Sequence, residues 1–154
     1  MIKKWEGLRL KAYLCPAGVP TIGYGWTHGV KLGDVITREE AERLLHLELE
    51  EKVYPAIKKY VKKQLTQNQF DAICSFVYNV GVGAFTRSTI LRKINLGLID
   101  EASDEFGRWI WAKGKKQPGL ISRREEEKEL FLTDAGQIAQ SISPRKFKSI
   151  EYSR

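Results

Sequence analysis

At 154 residues the chain is the size of one ordinary domain, long enough to bury roughly 68–70% of the surface of its unfolded form without disulfide or metal staples. Hydrophobic residues at 42% and charged residues at 29% exclude a disordered or low-complexity polypeptide. The formal charge of +7, from 26 Lys and Arg against 19 Asp and Glu, points to a polyanionic partner: nucleic acid, anionic membrane or bacterial wall.

Apolar runs such as Ile73 to Tyr78 fall far short of the ~20 residues of a membrane span, and the opening Met1 to Glu6 lacks a signal-peptide core. A soluble domain that does not export itself is expected. Cys15 and Cys74 form no Cys-x-x-Cys pair and read as free thiols of a reducing cytoplasm.

In chain order, a short helix begins near Ile2 and ends at Gly7. Pro16, Gly18 and Pro20 then mark a turn before Thr21-Ile22-Gly23-Tyr24-Gly25, which predicts a β-hairpin or small meander ending near Asp34. Thr37 to Glu40 reads as a capping box opening a long helix with a stripe of Ala41, Leu44, Leu45 and Leu49, interrupted near Pro55. Thr66 and Gln69 form a second box before Phe70, Ile73, Cys74, Val77 and Tyr78, and Gly81 and Gly83 stop that helix. Ser88 caps a helix through Ile94 ended by Gly97, another runs from about Asp100 to Ala112, and Ser122 opens a last one through Phe131. The C-terminal two-thirds therefore reads as all helix, with a loosely held basic tail from Ser143.

His28, His46, Cys15 and Cys74 are scattered without metal-ligand spacing, so no metal is expected. No serine-hydrolase elbow or phosphate loop occurs, and Gly23-Tyr24-Gly25 is too short for a dinucleotide site, so no cofactor is expected either. His46 reads as a helix-face residue and Cys74 as core. Trp109 and Trp111 read first as core and second as a sugar or base platform. Glu6, by contrast, ends a short helix, where the negative pole of the helix dipole and partial desolvation both favour the neutral acid. A hairpin starting a few residues later brings Cys15 and Thr21 together across a cleft from it.

The stretches Trp5-Glu6-Gly7-Leu8-Arg9 and Thr21-Ile22-Gly23-Tyr24-Gly25, with eight residues between Glu6 and Cys15 and five between Cys15 and Thr21, resemble the opening of phage-type lysozymes, the glycoside hydrolase family 24 endolysins. Asn79 to Phe85, and Pro118-Gly119-Leu120 with Arg123-Arg124, extend the likeness over about residues 2 to 132. The resemblance implies an α+β lysozyme-like fold in one domain over 1–154, with a hairpin lobe over about 8–36 joined by a long helix to a helical lobe over about 62–142. It implies a muramidase that hydrolyses the β-1,4 bond between N-acetylmuramic acid and N-acetylglucosamine. In that reading Glu6 is the general acid, Cys15 positions or activates the attacking water, Thr21 helps hold it, and Gly25, Tyr78 and Asn79 line the cleft.

The resemblance also implies a monomer acting on bacterial peptidoglycan, without nucleic acid, stable membrane insertion or cofactor. Such an enzyme resides in the host cytoplasm before lysis, acts in the periplasm, and depends on a holin-like permeabilising protein. Two departures from the family pattern stand out: Cys15 where many relatives carry Asp, leaving one carboxylate where glycoside hydrolysis usually has two, and Trp26 where many carry His. With no Lys or Arg within three residues of Cys15 in the sequence, a neutral, water-placing thiol is expected. Two rivals remain at this stage. One is a lytic transglycosylase in which the muramic 6-hydroxyl attacks; the other is a non-enzymatic basic module binding nucleic acid or glycan, for which no helix-turn-helix, zinc-finger or RNA-recognition signature is present.

Overall fold

The computed structural model describes residues 1–133, so the basic tail and the part of the expected helical lobe up to 142 lie outside the described residues. Helix α1 (Ile2–Glu6) buries Ile2 and ends at Gly7, whose φ of 70° lets the chain turn sharply out of the helix. Strand β1 (Arg9–Leu14) pairs antiparallel with β2 (Pro20–Gly23), Tyr13 opposite Thr21 and Leu14 opposite Pro20, with an irregularity between Arg9 and Tyr13. The chain returns along the other edge of β1, where Ala12 N–H donates to Asp34 O at 2.9 Å and Ile36 N–H to Leu10 O at 2.9 Å. The expected small meander therefore forms.

Thr37 caps α2 (Arg38–Glu48) by accepting from Glu40 N–H. The reciprocal half of the expected box is not made, because both Glu40 carboxylate oxygens are held by Arg43, at 2.9 and 2.7 Å. Nor does Pro55 interrupt the helical run. A π turn (Leu49–Val53) leads into α3 (Tyr54–Tyr60), with Pro55 in the first turn of α3; the wider turn accommodates a ring that would otherwise strike the preceding turn's carbonyl.

Helix α4 (Gln67–Val80) has the full capping box, Thr66 Oγ1 accepting from Gln69 N–H and Gln69 Oε1 from Thr66 N–H. Phe70, Ala72, Ile73, Cys74, Ser75, Phe76 and Val77 are all buried, so this helix runs through the core rather than over it. Gly81 alone stops it; Gly83 lies within the next short helix, α5 (Val82–Thr86). Ser88 caps α6 (Thr89–Asn95) by accepting from Leu91 N–H at 3.1 Å, and Gly97 follows with φ 78°.

Helix α7 (Ile99–Glu105) is shorter than its sequence suggests. After one 3-10 turn (Phe106–Arg108) the chain forms a small hairpin, β3 (Trp111–Ala112) against β4 (Lys115–Lys116). The C-terminal two-thirds is thus not all helix: Lys113 and Gly114, with φ 52° and 73°, make the positive-φ turn that a two-residue hairpin requires. Helix α8 (Pro118–Leu132) starts four residues before Ser122, since a proline in the first turn gives up no hydrogen bond and comes with its φ preset. It packs on α4 through an aromatic cluster, Phe76 edge-on to Phe106 at 5.5 Å and to Trp109 at 5.3 Å, with Phe131 behind Phe106. Trp109 therefore belongs to the core, while Trp111 is 56% exposed.

Candidate active site

Glu6 closes α1 with its side chain 18% exposed, on the wall of a cleft of about 480 Å³. Trp5, Pro16, Asn79, Lys113, Gln117 and Arg123 line the same space, so it is walled by α1, the β1–β2 turn, the end of α4, the β3–β4 hairpin and α8. Arg123 Nη1 donates to Glu6 Oε1 at 2.7 Å. The other oxygen, Oε2, faces Gly25, where a Cβ would sit 3.2 Å away, on a backbone with φ 90°. A side chain at position 25 would both strain the backbone and crowd the carboxylate.

Arg123 is the partner that the sequence reading of Glu6 does not contain. It is 3% exposed and held by three further hydrogen bonds to two residues: Nε to Glu127 Oε1 at 3.2 Å, and Nη2 to Ser75 O at 3.0 Å and Ser75 Oγ at 3.3 Å. Arg124 beside it pairs with Glu127 and with Asn79 Oδ1, donates from Nε to Trp109 O at 3.0 Å, and lies over the Phe76 ring. Burial pulls the Arg124 guanidinium below its usual range, and the charge of Glu127 opposes that.

Cys15 and Thr21 come together at the β1–β2 turn. Cys15 N–H donates to Val19 O at 3.0 Å and Thr21 Oγ1 donates to the same oxygen at 2.8 Å. The thiol of Cys15 is held below its ordinary range, chiefly by a backbone hydrogen bond at Val19, with Ala17, Thr21 and Gly18 adding to it and desolvation opposing. Backbone groups of the turn thus supply a stabilisation of the thiolate that neighbouring lysines do not. Both cysteines are free thiols, Cys15 half-buried and Cys74 buried.

Of the remaining expected residues, Asn79 lines the cleft with Glu6. Gly25 and Tyr78 are not among the residues lining that cleft; they lie in a separate hollow of about 70 Å³ with Trp26, Thr27, His28, Glu48 and Lys52, Gly25 alone facing Glu6. Tyr78 OH donates to Tyr24 O at 2.6 Å, tying α4 to the segment after β2. Trp26 donates its indole N–H to His28 O at 2.9 Å. Among the described residues no group of three His, Cys, Asp or Glu converges.

Sequence reasoning named Arg123 only within a motif and missed Lys113. Lys113, in left-handed backbone, donates from Nζ to Pro16 O at 2.5 Å, across from the hairpin to the residue after Cys15. The available signals were the Arg123 and Glu127 spacing of four on a helix and the Lys-Gly turn.

A largely buried carboxylate on the wall of an open cleft between a small β segment and a helical body can supply the proton-donor half of glycoside hydrolysis. Residues 3–127 match the phage lysozyme family model, and the chain belongs to that family. It is 53% identical over 135 residues to an endolysin of Acyrthosiphon pisum secondary endosymbiont phage 1, covering 85% of this chain and 92% of that one. Among solved structures it is similar to the muramidase domain of SpmX from Asticaccaulis excentricus, with a TM-score of 0.79 and 41% identity over 86% of this chain and 92% of that one. It is also similar to an endolysin from Escherichia coli O157:H7 phage FAHEc1, with a TM-score of 0.77 and 40% identity over 85% and 87% of the two chains. The α+β lysozyme-like fold and a phage-type peptidoglycan hydrolase activity are thereby established.

Proposed function

We propose that the enzyme is a muramidase cleaving the β-1,4 bond between N-acetylmuramic acid and N-acetylglucosamine, with Glu6 as proton donor to the departing sugar oxygen. The observation that carries this reading is the Glu6 carboxylate on the wall of the 480 Å³ cleft with Arg123 2.7 Å from Oε1. Oε1 is occupied by the guanidinium, so Oε2 carries the proton that is transferred, and Gly25 gives it room. Cys15 and Thr21, on the turn whose Pro16 lines the cleft, place the attacking water. Asn79, held by Arg124, lines the cleft, and Gly25 leaves space beside Glu6.

Among the described residues no helix is long and apolar enough to cross a membrane. We infer a monomer that waits in the host cytoplasm and reaches periplasmic peptidoglycan once a holin-like protein permeabilises the membrane. Glu6→Gln keeps the shape of the site but removes its acid, and purified-wall lysis at matched folded concentration should fall by about 10²–10⁴-fold. Retention of more than about a tenth of the activity, far outside that range, refutes the assignment. Product mass separates hydrolysis from transglycosylation, since an anhydromuramic product lacks one water.

A further inference from the structure

We propose that Glu127, acting with Arg124, is a positioning residue that sets the charge against which Glu6 gains and loses its proton; this rests on the reading of Glu6 as proton donor. Glu127 touches no part of the cleft. It is wholly buried, accepts from Ser75 Oγ at 2.7 Å and Arg123 Nε at 3.2 Å on Oε1, and pairs with Arg124 through Oε2. Through Arg123 it stands one guanidinium behind Glu6.

The cluster therefore holds two buried cations, Arg123 and Arg124, and two carboxylates, Glu6 and Glu127. It is electrically balanced only when Glu6 is ionised. Loading Glu6 with the proton that catalysis needs leaves one uncompensated positive charge among buried groups, where Coulomb interactions are weakly screened. That excess drives the proton off toward the substrate oxygen, and Glu127 keeps it at one unit instead of two.

The other groups around Glu6 do not supply this balance. On its own helix Lys3 is paired with Glu42 and Lys4 with Glu126. From the hairpin, Lys113 is docked on Pro16 O. The Cys15 thiol on the β1–β2 turn has its contacts with Ala17, Gly18, Val19 and Thr21 and not with the cluster, and from α4 Ser75 and Asn79 do not ionise in the working range.

The sign of the effect distinguishes this role from a merely structural one. Glu127→Gln raises the positive excess, so the high-pH limb of lysis, where Glu6 loses its proton, should move down by about one pH unit. Arg124→Gln removes the excess, so the same limb should move up, and the double variant should return toward the parent. Each profile is measured at matched folded fraction, with KM near the parent's in Glu127→Gln, because Glu127 does not line the cleft, while Arg124→Gln, which releases Asn79, is read from the position of the limb alone.

Limbs that move in the same direction, or not at all, overturn the inference while Glu6→Gln remains inactive; an active Glu6→Gln overturns the proton-donor reading instead. Should the single variants fail to fold, carboxyl ¹³C titration of the unaltered protein decides. Glu127 should stay ionised through the range in which Glu6 titrates, and a Glu127 resonance that titrates with Glu6 overturns the proposal.

Discussion

Cys15 sits one residue before Pro16, on a turn whose backbone, together with Thr21, holds the thiol below its ordinary range. At neutral pH more of it is ionised than of an unassisted cysteine. Alkylation by iodoacetamide should therefore show a pH midpoint below that of free cysteine, and Thr21→Val should move that midpoint up by removing one of the stabilising contacts. A midpoint at or above the free thiol would remove any basis for a thiolate role. If the thiolate serves as base, wall lysis also rises along a low-pH limb with the alkylation midpoint, and that limb is missing from Cys15→Ser. The sequence made Glu6, Cys15 and Thr21 legible because they lie within sixteen consecutive positions. Arg123 was not, because it reaches Glu6 from 117 positions away, a distance that no local pattern spans.

At the level of elements, α4 carries a cost that its capping box and buried face offset. Asp71 lies in its second turn, accepting from Gln67 Nε2 at 2.9 Å, and burial pushes its carboxyl up to about 6 against the pull of Gln67 and the amino terminus. The unfolded carboxyl titrates near ~3.9, so Asp71 favours the fold fully below about pH 4 and loses that contribution as pH rises through about 6. Asp71→Asn keeps an acceptor for Gln67 and removes the charge. It should therefore stabilise the protein by about 1–3 kcal/mol at pH 7 and far less at pH 4, read from urea unfolding at both. An equal change at both pH values would show that the effect is not the charge.

The elements that were legible in the sequence are those whose ends carry side-chain chemistry: the Thr66–Gln69 box, the Ser88 cap and Gly81. The β3–β4 hairpin was not. Its four strand residues alternate too briefly to distinguish from a helix end, and its turn uses Lys113 where Asn would have announced positive φ. The π turn ahead of Pro55 was hidden for a related reason: proline signals that a helix must adjust, not how.

Across the whole molecule, the net charge of +7 and the buried cluster are separate matters. Arg123 and Arg124 are matched inside by Glu6 and Glu127, so the excess lies outside this cluster, and among the described residues part of it is on exposed lysines. Three of these, Lys113, Lys115 and Lys116, sit on the hairpin that also carries exposed Trp111, with Lys116 Nζ over its ring at 5.4 Å. Such a surface attracts an anionic wall over a range set by salt, about 10 Å at 0.1 M. Wall lysis should therefore weaken steeply as NaCl rises, while cleavage of a short, neutral chitooligosaccharide responds far less. Replacing Lys115 and Lys116 together by Gln should lower lysis at low salt and flatten its salt dependence, leaving chitooligosaccharide cleavage near the parent because neither residue lines the cleft. Equal salt sensitivity on the two substrates would mean that the positive surface keeps the protein dispersed and takes no part in finding the wall.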